Sequence, residues 1–329
     1  MLLSHLTRNL RFNSGATWCR KFSRTVLALN DTKNVSKYAM FFDKRVQHIL
    51  TDITGRDEEK IYRPRYRDTA KPTYRLVTDK ELEKLKSDAE EKIQKTLQIP
   101  PVLDEKPDVN VILSKDEALA EHDQFNYVFT DISYNIPHEK RTVTVREKDG
   151  TLRLATNDEH KRMIQVYFPG EGRKHYMPNM FTEKHLERLL EEGEYEYILD
   201  RACVQFDPDE TDYIRVTRRV YEYIADRSDF MKLYSTRHFG AAAFFLTVQK
   251  NIDSFIAVLI NSNLLHSAKS LIDVYYMVHN QEQGLPKEWS NLSDEEAIMM
   301  FAKQEAKDGS RIELALQVYK ENVEREMSS

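Results

Sequence analysis

Four tetrapeptides punctuate this chain: Thr78-Asp79-Lys80-Glu81, Thr156-Asn157-Asp158-Glu159, Ser293-Asp294-Glu295-Glu296 and Ser310-Arg311-Ile312-Glu313. In each, the hydroxyl accepts a backbone N–H three residues on, and the Glu carboxylate accepts the N–H of the hydroxyl residue. Two of the orphan donors of a helix start are satisfied at once. Each tetrapeptide therefore predicts a helix N-terminus. The first opens a helix with Leu82, Leu85, Ala89, Ile93 and Leu97 as a narrow stripe, stopped by Pro100-Pro101. Its other faces are solid charge, so it is expected to lie against a surface. The second helix runs through Phe168 and ends at Pro169, and Gly309 separates the helices opened by Ser293 and Ser310.

Other segments read as helix from periodicity. Residues 36–54 place Phe42, Val46, Ile49, Leu50 and Ile53 on one face, with Gly55 at the end. Residues 182–192 form another, with Gly193 beyond it. From Tyr195 onward the signals are helical, with dense apolar positions over 234–249 and 253–278, as expected of packed helical hairpins. Residues 56–75 read as irregular, and 100–123 as extended with a short helix from Ser114.

The centre differs. Residues 125–134 are aromatic and β-branched on both alternating faces, which predicts a strand covered on both sides. Residues 141–147 and 151–155 read as a hairpin around a two-residue Asp149-Gly150 turn, with Leu152 and Leu154 matching the face of Val143 and Val145. The expected class is α+β, mainly α. A leader would occupy 1–30, a helical arm 31–123, a small central region with the antiparallel hairpin 124–194, and a helical array 195–329.

Charge separates the head from the rest. Residues 1–30 hold five Arg or Lys and no acid, whereas the remainder has 44 basic against 54 acidic residues, or −10. The head is also rich in Ser and Thr, and Leu2, Leu3, Leu6 and Leu10 share one side of a helix. That is presequence composition, addressing the chain to the mitochondrial matrix, with a processing point after Phe22. The competing reading is a basic N-terminal arm. No apolar run approaches the ~20 residues of a membrane span.

Chemistry-bearing motifs are scarce. With 9 glycines the chain is poor in the residue that phosphate loops require. Residues 169–174 (PGEGRK) lack the P-loop's Ser or Thr after Lys and read as a surface turn bearing two cations. The ten histidines form no metal motif, and Cys203, alone outside the head, reads as a small core residue. Asp207, Asp209, Glu210 and Asp212 lack calcium-loop spacing and are expected to cap a turn or helix start. No nucleophile elbow occurs. The reading is a non-enzyme without cofactor or small-molecule substrate.

The strongest interaction signal is basic and aromatic. Arg63, Arg65, Arg67, Lys71 and Arg75 interleave with Tyr62, Tyr66 and Tyr74 in a proline-stiffened stretch, opposed only by Asp68. Arginine neutralises phosphate while tyrosine stacks on unpaired bases. Further basic groups are Arg173-Lys174 with Tyr176, and Arg215 with Arg218 and Arg219. The net acidity confines RNA contact to such patches. The alternative is a solvated or protein-docked linker.

Several blocks carry a resemblance: residues 127–138 (YVFTDISYNIPH), 163–169 (MIQVYFP) with 171–174 (EGRK), 235–240 (STRHFG), 301–306 (FAKQEA) and 312–317 (IELALQ). Residues 71–76 (KPTYRL) and 100–103 (PPVL) fit as well. Together they resemble a mitochondrion-specific family of small-subunit ribosomal proteins, protein twenty-two, which has no bacterial counterpart. The resemblance implies a structural component of the mitochondrial ribosome that touches rRNA and neighbouring ribosomal proteins, with no catalytic residue to carry over. The alternative is a non-ribosomal matrix adaptor or assembly factor built from helical hairpins.

Overall fold

A computed structural model describes residues 37–61, 74, 76–106, 110–120, 124–279, 289 and 292–328. Its α-helices are α1 (Lys44–Thr54), α2 (Glu58–Ile61), α3 (Asp79–Thr96), α4 (Asn157–Tyr167), α5 (Glu183–Glu192), α6 (Tyr195–Gln205), α7 (Thr211–Arg227), α8 (Arg237–Val248), α9 (Asp253–Asn261), α10 (Leu265–His279), α11 (Asp294–Gln304) and α12 (Gly309–Ser328). The strands are β1 (Ile112–Lys115), β2 (Tyr127–Thr130), β3 (Val143–Arg146) and β4 (Thr151–Leu154). The fold is α+β and mainly α. It divides into two compact units, one drawn from 1–101 with 228–329 and the other being Val102–Arg227.

In the first unit, helix α8 has almost no polar face: His238 through Thr247 are all buried. It packs with α1 and α10, and α10 also packs with α1 and α11. Gly240 permits the approach, because a Cβ there would lie 3.2 Å from the Leu50 carbonyl oxygen and 2.6 Å from Ile99 Cδ1. Phe41 meets Phe244 edge-on, and Phe255 stacks on Phe230 while receiving the edge of Phe239. The expected helix over 36–54 is interrupted. Lys37–Phe42 is a 3₁₀ helix, and α1 begins after Asp43, whose carboxylate accepts the Arg45 N–H at 2.8 Å. A side chain that caps a new helix competes with continuing the old one.

Three of the four expected capping boxes form, at Thr78, Thr156 and Ser293. The one at Ser310 does not. Helix α12 starts at Gly309, two residues before the Arg311 that a Ser310 cap would place first, and the Ser310 hydroxyl donates instead to Asp308 Oδ1 at 3.0 Å. The buried Asp253 carboxylate accepts the N–H groups of Lys307 and Asp308 at 2.9 and 2.8 Å, so the turn is held from α9. The apolar run 253–278 is two helices, α9 and α10, with Asn263 in the left-handed region between them. Within 56–75, Glu58–Ile61 is helical.

In the second unit, the strands form an antiparallel sheet in the order β1-β4-β3-β2. The hairpin is present, but its turn holds three residues, Lys148-Asp149-Gly150. The Gly150 N–H donates to Glu147 O at 3.1 Å, the Glu147 N–H to Thr151 O at 2.9 Å, and Gly150 has φ 81°. This is a type I turn followed by a left-handed residue. The extra residue slips the pairing by one, so Val145 faces Arg153, Thr144 faces Leu154 and Arg146 faces Leu152. Leu152 and Leu154 therefore do not share the face of Val143 and Val145, because a one-residue shift exchanges the faces of a strand. Arg153 joins the buried valines instead. Its charge is met by Glu147 at 2.7 Å and by the capping-box carboxylate of Glu159 at 2.8 and 3.0 Å.

Strand β2 is not covered on both sides. Among the described residues it pairs only with β3, and Phe125, Tyr127, Val128 and Phe129 are exposed. Its two apolar faces reflect an edge, not a sandwiched strand. The stretch expected to be extended over 100–123 contains β1 and a 3₁₀ turn at Glu117–Leu119. Elsewhere in this unit α5 packs with α6 and α6 with α7, and Phe181, Leu190, Ile198, Leu199, Val216 and Val220 are buried.

Gly150 has both a left-handed φ and a would-be Cβ 2.0 Å from the Asp116 carbonyl oxygen. Gly150→Ala should therefore cost about 2 kcal/mol or more, against a change within about 0.5 kcal/mol for the exposed Lys148→Ala. Thermal melts of the two variants followed by circular dichroism check the difference.

Candidate functional site

The residues singled out for RNA or partner contact fall into three groups. Arg63, Arg65, Tyr66, Arg67, Lys71 and Arg75 lie outside the described residues. The neighbouring Tyr74 is almost fully exposed.

Arg218 and Arg219 sit on α7. Arg218 makes an exposed i,i+4 pair with Glu222 at 3.0 Å, and such pairs hold little energy. Arg219 is forked onto the Glu187 carboxylate of α5 at 2.6 and 2.8 Å. That guanidinium holds the Glu187 carboxyl below its usual range, and its own charge is largely spent within the chain.

Arg173 and Lys174 lie in the turn after α4. Gly172 is left-handed, with φ 78°. The Arg173 guanidinium donates to Val204 O at 3.1 Å and pairs with the Asp207 carboxylate. The next residue is held by its backbone: the Lys174 N–H donates to Gln205 Oε1 at 3.1 Å, and Gln205 Nε2 donates to Lys174 O at 2.7 Å. Gln205 is itself buried. The side chains that follow point away from this anchor. Lys174, His175, Tyr176 and Met177 are exposed, and the segment returns to the interior at Pro178. Lys174 Nζ lies 5.3 Å from the Tyr176 ring centroid, and the His175 ring meets Tyr176 edge-on at 5.4 Å. Among the described residues, no carboxylate pairs with the Lys174 ammonium.

Two apolar surfaces complete the set. Beyond β2, residues 131–135 carry Ile132 and Tyr134 outward, Tyr134 at 91% exposure. The buried Arg141 holds that loop, donating through Nη1 to Asp131 O at 3.0 Å and Ser133 O at 2.8 Å while its guanidinium lies 4.1 Å from the Phe168 ring centroid. The sequence signalled the aromatics but not the clamp, because nothing local marks Arg141 as buried. In α3, Ile93 is buried and Leu97 beyond it as well, while Leu82 and Leu85 stay exposed, Leu85 at 53%. The upper half of the stripe thus has no cover among the described residues.

Little points to chemistry. Cys203 is half-buried, its sulfur 3.6 Å from the Tyr213 hydroxyl. Among the described residues, no group of three His, Cys, Asp or Glu side chains is placed to hold a metal, and no helix is long and apolar enough to cross a membrane. The acidic cluster is used internally. Asp209 accepts Lys161 at 2.6 Å, Asp212 accepts Arg215 at 3.0 Å, and the Glu210 N–H closes a turn onto Asp207 O at 3.0 Å before α7.

Comparison with known proteins gives one answer. The family model described as mitochondrial 28S ribosomal protein S22 matches residues 39–280. The small ribosomal subunit protein mS22 of Mus musculus is 40% identical over 288 residues, covering 87% of this chain and 80% of the relative. That of Bos taurus is 40% identical over 286 residues, with the same shares.

The titration of Glu210 is testable. Burial, with the nearby Asp207 charge, pushes the Glu210 carboxyl up to about 7. A folded value above the unfolded 4.5 means that the folded state binds the proton more tightly. The associated stability is fully present below about 4.5 and is lost as pH rises through about 7. After a discount for its solvent contact, about 1–2 kcal/mol is at stake. Glu210→Gln should flatten the fall in melting temperature between pH 5 and 8. Parallel slopes for the two proteins would refute the assignment.

Proposed function

The chain belongs to the mitochondrial 28S ribosomal protein S22 family, and we infer that it is a structural component of the mitochondrial small ribosomal subunit, working in the matrix ribosome by contact and not by catalysis. The observation that carries this is the family match across most of the chain. Its partners are rRNA and other mitochondrial ribosomal proteins. Residues 1–30 serve as the import address.

The contacts divide by chemistry. The exposed β2 edge with Ile132 and Tyr134 is a protein-docking surface, since it offers apolar side chains and a sheet edge but little charge. The exposed half of α3 is a second one, with Leu82 and Leu85 set in a charged field that suits a polar-rimmed interface. The segment with Arg63, Arg65, Tyr66, Arg67, Lys71 and Arg75 makes local contact with rRNA. Arg219 and Arg173, already engaged with carboxylates, act on the chain's own fold.

Sedimentation of matrix extract at moderate salt tests the reading. The protein should travel with small-subunit rRNA at one copy per particle. Recovery wholly in light fractions would sink it, and a substoichiometric presence lost from mature particles would favour an assembly factor.

Two variant sets test the contacts. Changing Arg63, Arg65 and Arg67 together to Glu should reduce incorporation roughly tenfold in competition with the parent chain, with an unchanged melt. Leu85→Asp should weaken protein docking by about 2 kcal/mol, read as loss of cross-links from α3 to its neighbour in the purified particle.

A further inference from the structure

Resting on the ribosomal reading above, we propose that the turn bearing Lys174, His175 and Tyr176 is a preformed site for an unpaired RNA nucleotide, with the base against the Tyr176 ring and a flanking phosphate at the Lys174 ammonium. Arg173, the other cation of this turn, is a strut and not a contact.

Three observations converge. The first is rigidity. The left-handed Gly172 turns the chain, Arg173 ties it to Val204 O and Asp207, and the buried Gln205 grips the Lys174 peptide through both its N–H and its carbonyl. Pro178 is buried at the far end. Both ends are fixed by backbone bonds and burial, so little backbone ordering entropy remains to be lost on binding. The second is charge. Arg173 is spent on Asp207, whereas Lys174 next to it has no carboxylate partner among the described residues. The third is the aromatic surface. Tyr176 is 55% exposed, the Lys174 ammonium lies 5.3 Å from its ring centroid, and His175 lies edge-on beside it. An ammonium adjoining an exposed ring, on a stiff backbone, presents the two things a single nucleotide offers handles for: an anionic phosphate and a flat base. Base stacking also needs the base unpaired, so duplex RNA does not fit. Glu171, three residues before Lys174, is exposed, and removing its negative charge sets the sign of a control.

The test uses the full chain and two fluorescent RNAs, a 12-nucleotide unstructured strand and the same strand annealed to its complement. Tyr176→Ala should weaken single-strand binding about tenfold, the loss of one stacked base, while Tyr176→Phe retains it. Lys174→Gln should reduce the salt dependence by about 0.7 in log–log slope, one phosphate on a single strand. Glu171→Gln should tighten binding. Equal affinity for the duplex, or a Tyr176→Ala variant indistinguishable from the parent, would overturn the proposal. Melting curves of each exposed-site variant verify the fold.

Ultraviolet cross-linking of the assembled particle separates this idea from the reading beneath it. A peptide over 173–178 joined to rRNA supports the site. The same peptide cross-linked only to a neighbouring protein, in a chain that still sediments with the small subunit, overturns the nucleotide site and leaves the ribosomal role standing. A chain that does not sediment with the particle overturns the ribosomal role itself.

Discussion

One left-handed residue decides which side of the sheet is buried. Gly150 lengthens the β3–β4 turn to three residues, and the register slips accordingly. The slip turns Arg153 inward beside Val143 and Val145. A part-buried guanidinium against apolar neighbours needs carboxylate acceptors to offset its lost hydration. Glu147 and Glu159 supply them, and Glu159 is at the same time the reciprocal half of the α4 capping box. Arg153 and the Thr156 N–H together hold that carboxyl down to about 2. Helix start, strand register and the polarity of the sheet are therefore one connected arrangement. Moving the turn by a residue would strand the arginine and unpair the cap.

The same register fixes what the sheet shows outside. Tyr127 and Phe129 of the edge strand fall opposite Arg146 and Thr144, on the face shared with Leu152 and Leu154. Such an exposed edge is a liability in a free protein and an asset in a particle, where another chain can lie against it. A scaffold within a ribonucleoprotein needs many surfaces of moderate affinity and no deep pocket. The second unit has two exposed segments backed by polar anchors: the buried Arg141 behind residues 131–135, and the buried Gln205 with the part-buried Arg173 behind residues 173–177.

Cations in this chain divide by what faces them. Arg153, Arg173 and Arg219 are engaged by carboxylates of the same chain, and their removal would disturb the fold before any partner. A basic residue in a sequence is thus a poor guide to RNA contact, because 54 acids compete for it. Adjacent residues can differ in this, as Arg173, paired with Asp207, and the exposed Lys174 do.

Much of this protein was legible without coordinates. Capping boxes at Thr78, Thr156 and Ser293, the glycine stop at Gly193 and the mainly helical class follow from local hydrogen-bond rules, which need only neighbours along the chain. The block resemblance likewise pointed to the family. The failures share a cause. Ser310 lost its cap role because Asp253, far away in sequence, holds the preceding amides. The faces of Leu152 and Leu154 differ from the local expectation because Lys148-Asp149-Gly150 admits two turn lengths, and packing chose one. Strand β2 reads as buried from its residues alone, since an apolar side chain does not say whether its cover lies in its own chain. Local chemistry wrote the helices into the sequence. Which charges cancel, which faces meet and which stay open depend on residues brought together across long separations, and only the tertiary structure decided them.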